Sequence, residues 1–145
     1  MSNEPGLRPT KGSLDAALIV LRVVLGAVFI AHGGQKLLQF GIAGTTASFA
    51  EMGVFLPSVT APLVTFVEFF GGIAVLVGLL TRLAAFGIAV VMLGAMLMVH
   101  LPAGFFLPNG IEFTLVNLGI AVALLFAGPG AFSLDAKREA SGGAA

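Results

Sequence analysis

The chain has 145 residues, of which 58% are hydrophobic and only 10% are charged, and its seven basic and seven acidic side chains give a formal net charge of zero. A soluble domain is about one quarter charged, so this chain has too few charges to cover a surface in water, and its neutrality excludes an electrostatic surface for nucleic acid. The absence of cysteine excludes disulfides, iron–sulfur clusters and cysteine-ligated zinc within the chain. We therefore predict an integral membrane protein whose main partner is the lipid bilayer.

Four apolar stretches are each about as long as the roughly 20 residues that a helix needs to cross a bilayer. They cover approximately residues 14–38, 60–80, 83–101 and 111–127. Between the first two, residues 45–52 have helical composition and are followed by Gly53 and Pro57, which predicts a short helix at the membrane interface. The predicted fold is all-α, an integral membrane four-helix bundle formed by residues 14–135.

The residues outside the predicted bundle indicate its orientation. Residues 1–13 are predicted to form an N-terminal tail, and residues 136–145 a disordered C-terminal tail. Basic residues collect on the cytoplasmic side of membrane proteins, and one side of this topology has five of them against Lys36 alone on the other. The five are Arg8, Lys11, Arg82, Lys137 and Arg138. We therefore predict a multi-pass protein of a bacterial-type inner (plasma) membrane with both termini in the cytoplasm.

Two opposite charges, Arg22 and Glu68, fall inside the first and second spans. Counted from the ends of these spans at about 1.5 Å per residue, each lies roughly 12 Å from one face of a core about 30 Å thick, so their heights are similar. An isolated charge at this depth is costly. We therefore predict a buried Arg22–Glu68 ion pair, which could serve the structure or the function.

Other polar residues collect on the outer side of the predicted bundle and come from all four spans together with Glu68. They are His32, Lys36, His100 and Glu112. If the helices form one bundle, these residues and the Arg22–Glu68 pair surround one outward-facing cavity with apolar walls, which is typical of a small-molecule site. Each also has a structural interpretation: Lys36 can extend to lipid headgroups, His100 can face turn carbonyls, and Glu112 suits the first turn of a helix.

These residue types fit some ligands better than others. A quinone needs an apolar slot, a His or Lys donor at its carbonyl and a carboxylate to handle the proton. Two His could ligate a b-type haem, but nothing else in the chain indicates a haem pocket. The Glu-x-x-His pairs of carboxylate di-metal bundles are absent, so no metal ligand is assigned. A small-solute or proton path has the least support, because one deep pair offers few relay positions.

Several short motifs, in their order along the chain, resemble the DoxX family of small four-helix membrane proteins. They are a His-Gly-x-x-Lys turn at residues 32–36, Glu-x-x-Gly-Gly at 68–72, a Gly-Leu-x-Thr-Arg segment at 78–82, and the segments 100–106, 109–113 and 128–135. The chain departs from the family pattern at Ile111, where an aromatic residue is usual, and at Ala131 and Phe132, where Arg and Tyr are frequent. The resemblance covers nearly the whole chain outside the two tails.

The resemblance implies a four-helix membrane fold more strongly than it implies one activity. Some DoxX-type proteins are linked to membrane redox complexes, and the related DoxD subunits belong to a thiosulfate:quinone oxidoreductase, but the family has no universally assigned catalytic residue. The positions that match its motifs are Arg22, His32, Lys36, Glu68, His100 and Glu112. The same residues are selected by their positions within the predicted spans.

Two functions follow as expectations. In the first, the chain is a redox-associated subunit that holds quinone in the outer cavity, with Arg22 and Glu68 fixing its floor, and receives electrons from a protein partner. In the second, it is a non-enzymatic scaffold or assembly subunit, and the polar cluster only holds the helices together. A homo-oligomer is compatible with either.

Overall fold

The structure is a computed structural model that describes residues 9–142, and this part of the chain is all-α as predicted. The α-helices are α1 (Lys11–Gly34), α2 (Gly41–Glu51), α3 (Pro57–Val77), α4 (Thr81–Ala95), α5 (Glu112–Ala127) and α6 (Leu134–Gly142). A π-helical segment, Gln35–Phe40, joins α1 to α2. A second π-helical segment, Met96–His100, and a short 3-10 turn, Leu101–Ala103, continue α4.

Three helical stretches are long and apolar enough to cross a membrane. They are Lys11–Glu51, Pro57–Val77 and Thr81–Ala103. The fourth predicted span corresponds to α5, which is equally apolar but has only 16 residues, or about 24 Å of helix. The helical segments therefore agree with the predicted order of elements, and the last of them is shorter than a typical span.

The four apolar helices form a closed ring, in which α1 packs on α3, α3 on α4, α4 on α5 and α5 on α1, while α2 packs on α3. The core within the ring receives at least one buried side chain from each of these four helices. Examples are Leu25, Phe29, Val75, Ile88 and Leu124. On the outside of the ring large apolar side chains are exposed, among them Phe126 with 75% of its surface accessible. Such a surface is suited to lipid.

Helices α1 and α3 approach each other most closely where glycines face the partner helix. A Cβ atom added to Gly33 would lie 2.4 Å from the backbone nitrogen of Phe69, and one added to Gly72 would lie 2.7 Å from that of Ile30. Small residues allow the backbones of membrane helices to pack directly. The contacts also fix an antiparallel register, in which Gly33 lies opposite Phe69 and Gly26 opposite Leu76.

We expect Gly33→Ala to lower the thermal unfolding temperature of the detergent-purified protein, with a loss of about 1–3 kcal/mol from overpacking. The new methyl group would meet backbone atoms of Phe69, which cannot rotate away. Gly34→Ala is the matched control, because its Cβ would meet only the ring of Phe69 at an ordinary 3.6 Å. Equal unfolding temperatures for the two variants would contradict this packing.

The two tails are shorter than predicted. Helix α1 begins at Lys11, where the hydroxyl of Thr10 accepts a hydrogen bond from the backbone of Ser13. The prediction of a disordered C-terminal tail is wrong for residues 136–142, which lie in α6. The hydroxyl of Ser133 accepts a hydrogen bond from the backbone N–H of Ala136, so a polar segment gains the N-terminal cap that starts a helix. Residues 1–8 and 143–145 of the predicted tails lie outside the described residues.

The short helix predicted between the first two spans is present as α2 and is longer than residues 45–52. Two threonine hydroxyls, those of Thr45 and Thr46, donate to carbonyls one turn earlier, at Gly41 and Ile42. These bonds satisfy the polar side chains locally. The position of α2 at a membrane interface stays a prediction.

Candidate functional site

The polar side chains of the bundle collect at its two ends. At one end, called the Arg22 end, the beginnings of α1 and α4 lie beside the last turns of α3 and α5 and beside α6. At the opposite end, called the Glu68 end, the π-helical continuation of α1 lies against α3. At the Arg22 end the charged side chains bond to backbone groups, whereas at the Glu68 end two of them form an ion pair.

At the Arg22 end, residue Arg22 is 5% exposed, and its guanidinium donates four hydrogen bonds to backbone carbonyls. Its Nε bonds to Val75 at 3.0 Å and its Nη2 to Leu76 at 2.9 Å. Its Nη1 bonds to Pro129 at 2.9 Å and to Phe132 at 2.8 Å. The last carbonyls of a helix have no partner within the helix, so Arg22 both satisfies the end of α3 and attaches the 128–133 segment to it.

The predicted Arg22–Glu68 ion pair is wrong. Arg22 bonds only to carbonyls among the described residues, and Glu68 is paired with Lys36. The error came from treating the ends of the two spans as level. In the observed register α1 extends past the end of α3, so Arg22 lies beside the last turn of α3, about twelve residues or roughly 18 Å from the point of α1 opposite Glu68.

Asp135 also closes the Arg22 end. Its two carboxylate oxygens accept hydrogen bonds from the backbone N–H groups of Leu80, at 2.8 Å, and Thr81, at 2.9 Å. These are unpaired donors at the start of α4, and a carboxylate there is favoured by the helix dipole. Leu80 itself has a left-handed backbone with φ of 48°, a conformation that is strained for a residue with a side chain. Asp135 therefore holds a strained turn between α3 and α4.

Two further side chains connect elements at the Arg22 end by hydrogen bonds. The Nη1 of Arg82 donates to the carbonyls of Leu125 and Phe126 at the last turn of α5, and Asp15 accepts a hydrogen bond from the backbone of Ala131. Asp15 and Asp135 were not among the predicted site residues, and Arg82 was used only to predict the topology. The position of Asp15 at the start of the first predicted span was an available signal, since an acidic residue is favoured at the N-terminus of a helix.

The capping role of Asp135 predicts a pH dependence. Partial burial raises the pKa of its carboxyl, but the hydrogen bonds from Thr81 and Leu80 outweigh this and hold the pKa below its usual range. A lowered folded-state pKa stabilises the protein above the unfolded pKa, and this stabilisation is lost as pH falls through the folded value. We therefore expect Asp135→Asn to be destabilised relative to wild type near pH 7 and the difference to shrink as pH falls below about 4.

Melting temperatures of wild type and variant measured between pH 7 and pH 3 check this expectation. Glu139→Gln is the control. Glu139 is on the same helix, and its carboxylate accepts no hydrogen bond from any other described residue. A difference for Asp135→Asn that stays constant across the range would contradict the capping role.

At the Glu68 end, Lys36 and Glu68 form a close ion pair. The ammonium nitrogen of Lys36 lies 2.6 Å from Oε2 of Glu68, and the two side chains are 17% and 5% exposed. The pair therefore joins the end of α1 to α3 in a nearly water-free position. Lys36 belongs to the π-helical segment, a geometry that is frequent at functional sites.

His32 lies one helical turn before Lys36 and faces an open groove. Its ring packs against Phe113 with a centroid distance of 5.5 Å and a tilt of 48°. The groove has a volume of about 300 Å³ and is lined by Ala31, His32, Gln35 and Gln39. Among residues 9–142, the side chains of His32, Gln35 and Gln39 have no hydrogen-bond partner, so the groove presents unused donors and acceptors.

Gln35 and Gln39 were not among the predicted site residues. Their spacing from His32, three and seven positions along one helix, was a signal that they share its face. The predicted site was built from ionisable residues and therefore did not include these amides. We call His32, Gln35 and Gln39 the His32 groove.

The remaining predicted site residues hold the connection between α4 and α5. Nδ1 of His100 lies 2.7 Å from the carbonyl oxygen of Asn109, and Oε1 of Glu112 accepts a hydrogen bond from the backbone of Leu107 at 2.6 Å. The structure thus brings Lys36, Glu68 and His32 together, engages His100 and Glu112 in the nearby connection, and places Arg22 at the opposite end. Within the described part of the chain, no three His, Asp or Glu side chains converge as a metal site would require.

Comparison with known proteins assigns the family. Residues 17–101 match the family model described as DoxX. The chain belongs to the DoxX family. The matched part contains His32, Lys36 and Glu68, so the residues brought together at the Glu68 end lie inside the segment that defines DoxX membership. No solved structure matches the chain.

Three curated relatives match over most of the length of both chains. A Bacillus subtilis protein named "Putative oxidoreductase CatD" is 32% identical over 85% of this chain and 87% of its own. An Escherichia coli protein named "Inner membrane protein YqjF" is 36% identical over 83% and 91%. A Mycobacterium tuberculosis protein named "Uncharacterized membrane protein Rv3486" is 32% identical over 82% and 79%. This DoxX chain is accordingly a membrane protein in contact with the lipid bilayer.

Proposed function

We propose that this DoxX protein is a quinone-binding subunit associated with a membrane redox complex, and that the quinone head group binds in the His32 groove. The observation that carries the proposal is the exposure of His32, Gln35 and Gln39 on one helix face with no partner among the described residues. Polar groups next to an apolar, lipid-suited surface are costly to leave unpaired. A quinone is an apolar ring whose two carbonyls accept hydrogen bonds from such donors.

The surrounding residues suit the same ligand. Ala31 gives the groove an apolar contact, and Phe113 packs against the ring of His32. Quinone reduction to quinol takes up two electrons and two protons, and the proposal assigns the electrons to a protein partner in the complex. Lys36 lies about one helical turn from His32, and Glu68 is paired with Lys36. They supply ionisable groups close to the place where protons are taken up.

The proposed topology places four helices across the bilayer with the Arg22 end in the cytoplasm. Lys11, Arg82, Lys137 and Arg138 belong to helices that start or end there, whereas Lys36 is at the other end. This asymmetry supports cytoplasmic termini. The packing of α5 along both α1 and α4 supports a fourth span despite its 16 residues. The name of the E. coli relative supports an inner-membrane location, and that of the B. subtilis relative supports a redox association.

Titration calorimetry with a short-chain ubiquinone tests the proposal on the purified, detergent-solubilised protein. We expect saturable binding that His32→Leu weakens about fivefold, because one hydrogen bond contributes about 1 kcal/mol. His100→Leu removes the other histidine, which bonds to a loop carbonyl instead, and should leave the affinity unchanged. Absence of binding to wild type, or equal losses in the two variants at matched folding, would contradict the proposal.

A second candidate function is a non-enzymatic scaffold or assembly subunit. The observation that favours it is that Arg22, Lys36, Glu68, His100 and Glu112 all make bonds within the protein. In that case substitutions in the polar clusters should lower stability and co-purification of partner proteins together, and quinone should not bind. Loss of a redox activity with the bundle and its partners intact would contradict it.

A further inference from the structure

Helix α6 presents a mixed face to a groove at the Arg22 end. The groove has a volume of about 410 Å³ and is lined by Leu79, Leu134, Lys137, Arg138 and Ser141. The four residues from α6 are at positions i, i+3, i+4 and i+7, so they form one continuous face of the helix. This face carries two cations, and the opposing residue, Leu79, is apolar.

Neither Lys137 nor Arg138 forms an ion pair with another residue among residues 9–142. The charge of Arg138 is close enough to Asp135 to help lower the pKa of that carboxyl. The nearby carboxylate of Asp135 is turned toward the backbone of α4, where both of its oxygens accept hydrogen bonds. The carboxylate of Asp15 accepts a hydrogen bond from the backbone N–H of Ala131. The groove therefore presents two cations outside any ion pair, beside apolar side chains.

The groove is also held in a fixed place. Asp135 bonds to the start of α4, and Arg22 bonds to the carbonyl of Phe132 immediately before α6. Exposed apolar residues follow Leu79 in the chain: Leu80 is 55% exposed and Leu83 is 66% exposed. The groove thus lies at the edge of the lipid-suited surface, where the phosphates of a bilayer are found and where basic residues attract anionic lipids.

We infer that this groove binds the phosphate headgroup of an anionic phospholipid, with Lys137 and Arg138 as the phosphate ligands and Leu79 and Leu134 against the glycerol and the first methylenes. A soluble phosphate shares the anionic chemistry but has no group for the apolar half of the groove. The apolar lining therefore favours the lipid. The site is at the opposite end from the His32 groove and does not depend on quinone binding.

Native mass spectrometry of the full chain in detergent tests this assignment, with dioleoylphosphatidylglycerol and dioleoylphosphatidylcholine as the two probes. Wild type should bind phosphatidylglycerol more tightly. The double variant Lys137→Gln/Arg138→Gln should reduce this preference at least about tenfold, since each basic residue near anionic lipid contributes a factor of about five. Lys11→Gln, an exposed basic residue of the same end outside the groove, should keep the preference, and so should Lys137→Arg.

Three results would overturn the assignment. One is equal affinity of wild type for the two lipids. Another is a preference that survives in the double variant, or that is lost to the same extent in Lys11→Gln. The third is displacement of the bound lipid by millimolar inorganic phosphate, which would make the ligand a soluble anion. Melting of each variant in phosphatidylcholine alone checks folding, and the conservative Lys137→Arg variant separates charge from packing.

Discussion

Arg22→Met is expected to lower the unfolding free energy by about 3–5 kcal/mol, because it removes four hydrogen bonds from a charged donor and leaves partly buried carbonyls without this partner. Four carbonyls, on α3 and on the segment before α6, accept from this one side chain. The apolar stem of the side chain is retained in methionine, so the loss reports the guanidinium and not the packing. Unfolding of the detergent-purified protein by denaturing surfactant, followed by circular dichroism, measures it.

Arg22→Lys should fall between wild type and Arg22→Met, since an ammonium group cannot reproduce the planar fork of the guanidinium. Lys11→Met is the matched control, because Lys11 is an exposed basic residue at the start of the same helix. An unfolding free energy of Arg22→Met within about 0.5 kcal/mol of wild type, the usual range for surface substitutions, would contradict the role of Arg22 as the fastening residue of this end.

The second large effect concerns the Lys36–Glu68 pair. Removing one partner leaves the other charge in a nearly water-free position, so Glu68→Leu and Lys36→Met should each cost about 3 kcal/mol or more. The double variant Lys36→Met/Glu68→Leu should recover most of this loss, because replacing a buried pair by apolar residues is often close to neutral. The same surfactant unfolding of the four proteins gives the coupling free energy.

The double variant also separates stability from function. If it is as stable as wild type and binds quinone more weakly, the pair contributes to the ligand site beyond holding α1 to α3. Single-variant losses that simply add in the double variant would contradict the direct pairing, because residues in contact show a coupling term.

The apolar pattern of the sequence was sufficient for the all-α fold, the order of the elements and the short helix after the first span. It was not sufficient for the register between helices. That register depends on close contacts between a glycine of one helix and the backbone of the other, such as the contact of Gly33 with Phe69. The register places Glu68 beside Lys36 and not beside Arg22. Depth counted from span ends misses this offset, which is about twelve residues or roughly 18 Å of helix and exceeds the reach of any side chain.

The candidate site was predicted in part. The ionisable residues of the Glu68 end were recognised from their cost in a membrane, and the structure brings three of them together. The role of Arg22, His100 and Glu112 in bonding backbone groups could not be read from the sequence, because such bonds depend on where the chain turns after each helix. Gln35 and Gln39 were overlooked because neutral amides carry no such depth argument.

Photoaffinity labelling with a short-chain azidoquinone tests the central claim, that the His32 groove binds quinone, most directly. Labelling of the purified protein followed by peptide mass spectrometry should place the adduct within residues 31–39, and competition by unmodified quinone should suppress it. The His32→Leu variant should show a clear reduction and His100→Leu should not. An adduct at the Arg22 end, or labelling that unmodified quinone does not suppress, would contradict the claim.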